Sequence, residues 1–66
     1  MVDRSDLTDE EWEMLLRLDR GPPESRLVPG TILERLLEIR LATRRAGQPR
    51  VSEAGKRLIL RHRDAR

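Results

Sequence analysis

The 66-residue chain has no cysteine, no phenylalanine, no tyrosine, one tryptophan, one histidine and a single lysine. Without cysteine no disulfide can staple so short a chain, and no thiolate metal site exists. A reduced, cytoplasmic setting is the expected one. With one histidine, a metal site would rest on scattered surface carboxylates, so no metal is expected. No apolar run is long enough to span a bilayer. The acidic N-terminal stretch, with Asp3, Asp6, Asp9, Glu10 and Glu11, does not read as a secretory signal. One domain at most fits this length, and a core of this size supplies only about 3–5 kcal/mol.

What is present is charge, and it is unevenly placed. Residues 1–19 hold seven acids against two Arg, a net −5; residues 20–66 hold twelve bases against five acids, a net +7. Thirteen of the fourteen basic residues are Arg. Arg pairs with phosphate and with guanine edges through a planar fork, so a basic face for an acidic partner is the natural use of such a dipole. A GC-rich coding sequence also enriches Arg without any function attached.

Residues 1–6 are polar and read as a flexible N-terminus, residues 7–63 as a single domain, and residues 64–66 as a flexible C-terminus. Thr8 as N-cap with Glu11 three residues on is a capping box, and Leu7 with Trp12 can close a hydrophobic staple around it. Asp9, Glu10 and Glu11 suit the positive end of the helix dipole. Trp12, Leu15, Leu16 and Leu18 form the apolar stripe, with Trp12 as a core anchor. Gly21, Pro22 and Pro23 end this helix near Asp19 or Arg20. Residues 21–30, with three prolines around Leu27 and Val28, leave room for one turn of helix or a short extended segment.

A second helix starts at Pro29, Gly30 or Thr31, where Thr31 and Glu34 again have capping-box spacing. Ile32, Leu33, Leu36, Leu37 and Leu41 face inward by helical spacing, and Thr31, Glu34, Arg35 and Glu38 face out. Leu41–Arg45 reads as a short strand, Ala46-Gly47-Gln48-Pro49 as the turn and Arg50-Val51 as the return. Ser52 caps a last helix, roughly Glu53 to Arg63, with Ala54, Leu58, Ile59 and His62 on one face. Gly55 in its first turn costs about 1 kcal/mol if it behaves as an interior position. The expected fold is therefore α+β: three helices and a small β-hairpin. With so few aromatic residues, such a core can leave some of Leu15, Leu18, Ile39 or Leu60 exposed for a partner.

No arrangement of residues looks catalytic. Ser5, Ser25 and Ser52 have no assignable His–carboxylate pairing, His62 lies near a terminus, and Gly21, Gly30, Gly47 and Gly55 do not form a phosphate loop. Neither an enzyme activity nor a cofactor nor a small-molecule substrate is expected. The basic hairpin is the one constellation that points to function. Arg44, Arg45 and Arg50 flank a tip holding Gln48, and Lys56 and Arg57 open the last helix beside it. Such a hairpin can lie along a phosphate backbone or enter a minor groove. Charge on an exposed strand also serves simply to block edge-to-edge pairing.

From Thr31 to Ile59 the order helix, basic strand, turn, return strand and Ser-capped helix resembles the winged helix-turn-helix family. The helix exit is Arg40-Leu41-Ala42, with Arg40 where the family commonly has Gly, and the final cap is Val51-Ser52-Glu53-Ala54-Gly55-Lys56. Residues 22–30 would hold only a truncated second helix. The resemblance implies duplex DNA as partner and a role as a transcriptional regulator or accessory factor. Arg44, Arg45, Gln48, Arg50, Lys56 and Arg57 would hold the backbone, and Thr31 with Arg35 would meet base edges. The alternative is a protein-interaction module on the same scaffold, an adaptor or small inhibitor without DNA binding. A homodimer is compatible with either.

Overall fold

A computed structural model describes residues 2–64. The elements run α1 (Asp9–Arg20), a 3-10 turn (Glu24–Leu27), α2 (Gly30–Glu38), β1 (Ala42–Arg45), β2 (Gln48–Val51) and α3 (Glu53–Asp64), after an initial 3-10 turn at Arg4–Asp6. The chain is thus a small α+β fold of three helices and one antiparallel hairpin, a layout compatible with a winged helix. The flexible ends expected at 1–6 and 64–66 fall partly on Met1, Ala65 and Arg66, which lie outside the described residues.

The start of α1 forms as its sequence dictates. The Glu11 N–H donates to Thr8 Oγ1 at 3.0 Å, and the Thr8 N–H donates to Glu11 Oε1 at 2.9 Å. Leu7 is buried beside this cap, and Leu15 and Leu18 point from α1 into the core. Trp12 is half-buried against that core. Its ring meets the edge of His62 (centroids 5.3 Å apart), and the Arg4 guanidinium sits 5.0 Å from its centre. The helix closes at Gly21, whose N–H donates to the Leu18 carbonyl.

The connection at 21–29 holds a four-residue 3-10 turn where a winged helix has its second helix. Val28 is buried there and Leu27 is exposed, so only one of the two central apolar residues packs inward. At α2 the expected Thr31–Glu34 capping box does not form. Pro29 is the N-cap, without a side-chain bond, and its carbonyl accepts from the Leu33 N–H at 2.9 Å. Thr31 therefore lies inside the first turn, two positions too late to cap it. Leu36 is fully buried, while Ile32, Leu33 and Leu37 are half-buried against the core.

The exit from α2 decides where the hairpin goes. Arg40 takes a left-handed conformation (φ 65°). The Arg40 N–H donates to Leu37 O (3.1 Å) and the Leu41 N–H to Leu36 O (2.9 Å). This pair of bonds is a Schellman motif, with Arg in the place glycine usually takes. Leu41 and Leu36, the two apolar residues that accompany such a cap, are both buried. Leu41 thus belongs to the cap, and β1 starts one residue later than expected, at Ala42, which is also buried.

The hairpin pairs Ala42 with Val51, Thr43 with Arg50, Arg44 with Pro49 and Arg45 with Gln48. Its turn is only Ala46-Gly47, both with positive φ (52° and 79°), not the four residues expected. Two left-handed residues make the tight turn whose twist matches the strands, which leaves Gln48 and Pro49 free to join β2. Val51 and Ala42 anchor the base of the hairpin in the core.

Ser52 ties the fold's second half together. Its hydroxyl donates to Arg40 O at 2.7 Å and accepts from the Gly55 N–H at 3.1 Å, while its own N–H donates to Leu41 O at 3.0 Å. Gly55 is buried at this junction. A Cβ there would collide with the Leu41 carbonyl oxygen and lie 2.6 Å from Val51 Cγ1. Leu58 and Ile59 of α3 are buried, but Ala54, expected on the same inward face, is exposed. Of the four residues considered for partner exposure, Leu15 and Leu18 are fully inside, Ile39 is half-buried, and only Leu60 is exposed.

Candidate nucleic-acid interface

The two-residue turn and the register put the hairpin's polar side chains in a defined order. Successive residues alternate faces, so the pairs Ala42–Val51 and Arg44–Pro49 share one face and Thr43–Arg50 and Arg45–Gln48 the other. Arg44 and Arg45 therefore leave the tip on opposite faces. Arg44, Arg45, Gln48 and Arg50 are all exposed.

Beside the hairpin runs an open groove. All four residues of β2 line it, and from β1 only Thr43 and Arg45, the two on the face of Arg50. The other lining comes from the end of α1, the 3-10 connection, α2 and the first turn of α3. Four cations contribute: Arg45 and Arg50 from the hairpin, Lys56 from α3 and Arg26 from the connection, against the one carboxylate of Asp19. Ser25, Thr43 and Gln48 add hydrogen-bonding groups, and Leu18, Val28, Leu33 and Val51 give the groove an apolar floor.

Ion pairing separates these cations from those around α1. Around α1 the bases are matched to acids: Arg4 to Asp9 (2.8 Å), Arg20 to Glu24 (3.3 Å) and Arg17 to Glu13 (4.0 Å). Among the described residues no ion pair holds Arg26, Arg44, Arg45, Arg50 or Lys56. Among the described residues, the positive charge of the hairpin and groove is thus met by the Asp19 carboxylate alone and by no ion pair.

The residues expected from the sequence to hold nucleic acid fall into two sets. Arg45, Gln48, Arg50 and Lys56 converge on the groove, with Arg44 on the hairpin's other face. Thr31 and Arg35 lie apart on the exposed side of α2, which they share with Glu34 and Glu38. Arg35 Nε sits 3.7 Å from Glu11 Oε2. Arg57 lies 3.9 Å from Glu53 and lines a different groove, with Val2, Ile39, Leu41 and Leu58. Exposed pairs of this length contribute little and are readily exchanged for another anion.

Arg26 is the groove cation that sequence reasoning missed. It sits in a proline-rich connection with no periodicity to aim it, and nothing local distinguishes it from Arg20. Among the described residues no group of three or more His, Cys, Asp or Glu could hold a metal ion, and no helix is long and apolar enough to cross a membrane. Comparison with protein-family models, with curated proteins and with solved structures finds no significant match for this chain.

Proposed function

We propose that the chain is a small winged-helix-like DNA-binding protein of the cytoplasm, a transcriptional regulator or accessory factor, which holds duplex DNA through its Arg-bearing hairpin. The observation that carries this reading is the contrast in ion pairing. Acids of α1 and of the connection take up nearby bases, whereas Arg44, Arg45 and Arg50 stand exposed with no carboxylate partner among the described residues. Unneutralised Arg on a projecting hairpin gains most from an anionic lattice such as a phosphate backbone, through charge-assisted bonds and counterion release. Two copies in a homodimer would present two hairpins to adjacent turns of one duplex.

The test is fluorescence anisotropy of a labelled duplex of about thirty base pairs at low and near-physiological salt. Wild type is expected to bind at low salt and to weaken steeply as salt rises. The double variant Arg44→Glu/Arg45→Glu is expected to lose binding while keeping its helical circular dichroism. A folded wild type that ignores duplex DNA at low salt would remove this reading.

A second reading, a protein-interaction module without DNA binding, is favoured by the other groove. Val2, Ile39, Leu41 and Leu58 form an apolar trough edged by Arg40 and Arg57, and Leu60 is 54% exposed on the same helix as Leu58. Recovery of one stoichiometric host protein, together with no affinity for random duplex, would favour this reading over the first.

A further inference from the structure

We propose that the groove beside β2 is a clamp for a single sugar–phosphate strand of the duplex, with Arg26 of the 3-10 connection acting opposite Arg45, Arg50 and Lys56, and that it grips without reading bases. This rests on the DNA-binding reading above and adds to it a location, a further residue and a mode of recognition.

Three features of the groove fit a backbone strand. Its four cations exceed its carboxylates by three, and none of the four is ion-paired among the described residues. Ser25, Thr43 and Gln48 provide neutral groups of the kind that bind phosphate oxygens in protein–DNA contacts. The apolar floor of Leu18, Val28, Leu33 and Val51 suits the carbon face of the sugars and would be idle beneath phosphate alone. Asp19, the one carboxylate of the lining, would repel a phosphate at its own position.

The same features argue against base recognition. An edge-reading helix needs donors and acceptors free on its outer face. Here α2 exposes Glu34 and Glu38, which repel a duplex and share its outer face with Thr31 and Arg35. No aromatic side chain lines the groove, so there is no platform for an unstacked base. The connection at 24–27 is on this view the far wall of the clamp. A full second helix at that point is not required for the grip.

The experiment is a salt titration of duplex binding by anisotropy, with two duplexes of unrelated sequence and the full chain. Wild type is compared with Arg26→Gln, Arg26→Lys, the double variant Arg45→Gln/Arg50→Gln, the charge-matched control Arg61→Gln on α3, outside the groove, and Arg35→Gln as a probe of base readout. Arg26→Gln is expected to lower the slope of log affinity against log salt by about one and to weaken binding about five- to tenfold, equally for both sequences. Arg26→Lys is expected to keep the slope, and Arg61→Gln to match wild type. If Arg26→Gln behaves as Arg61→Gln does while Arg45→Gln/Arg50→Gln loses binding, the clamp is wrong although DNA binding stands. Loss of the slope in Arg26→Lys as well would assign Arg26 a structural role and overturn the clamp. A preference for one sequence that disappears in Arg35→Gln would overturn readout-free binding. If wild type binds poly-L-glutamate but no duplex at low salt, the DNA reading fails with the clamp, and the groove belongs to an acidic protein.

Discussion

The position that most constrains this fold is Gly55, which by propensity alone is a defect in a helix. Replacing such a glycine with alanine usually stabilises a helix by about 1 kcal/mol. Here the added methyl would meet the Leu41 carbonyl and Val51 Cγ1 at the junction of α2's exit, β2 and α3. Overpacking against backbone costs about 1–3 kcal/mol, and a carbonyl has no rotamer by which to yield. Gly55→Ala is therefore expected to destabilise by about 2 kcal/mol, a large share of the 3–5 kcal/mol such a core supplies. Chemical denaturation measures this, and a gain in stability would mean that α3 does not pack on Leu41 as described. Ser52 shows a related point. Its capping role is legible from its place before an apolar-periodic run. Its donation to Arg40 O is not, because that carbonyl is freed only when Arg40 turns left-handed.

At the scale of elements, the sequence is most legible where a local signal and the core agree. The capping box at Thr8 and Glu11, the stop at Gly21, the hairpin and the Ser52 cap all meet that condition. It is least legible where two signals compete. Thr31 and Glu34 have the right spacing for a cap, but Pro29 has a fixed φ that starts the helix earlier. The turn is shorter than its Gly-Gln-Pro composition suggests because Ala46 accepts a left-handed φ of 52°. An L-residue there costs roughly 1–2 kcal/mol, less for Asn. Ala46→Asn is accordingly expected to stabilise the hairpin by about 0.5–1 kcal/mol, seen as a raised denaturation midpoint, with duplex affinity unchanged. A lowered midpoint would contradict the two-residue turn. Of the candidate site, the hairpin cations are legible because they flank a turn. Arg26 is not, because the 3-10 connection that carries it to the groove has no period.

Across the whole molecule the charge dipole of the sequence becomes a division of labour. Several acids of α1 sit in intramolecular pairs, Arg4–Asp9, Arg17–Glu13 and Arg35–Glu11, while the basic surplus sits on the hairpin, the connection and the start of α3. A molecule so arranged meets a polyanion with its hairpin and groove, and salt screens that steering. The apolar trough at Val2, Ile39 and Leu58 is a separate surface, so the two functional readings make different maps on the same protein. The most direct test is amide chemical-shift mapping by NMR of the labelled chain as a random duplex is added at low salt and salt is then restored. Shifts confined to residues 43–51, 21–26 and the start of α3, and reversed by salt, are the expected result. No shifts, or shifts centred on Val2, Ile39 and Leu58, would contradict the hairpin as a nucleic-acid interface.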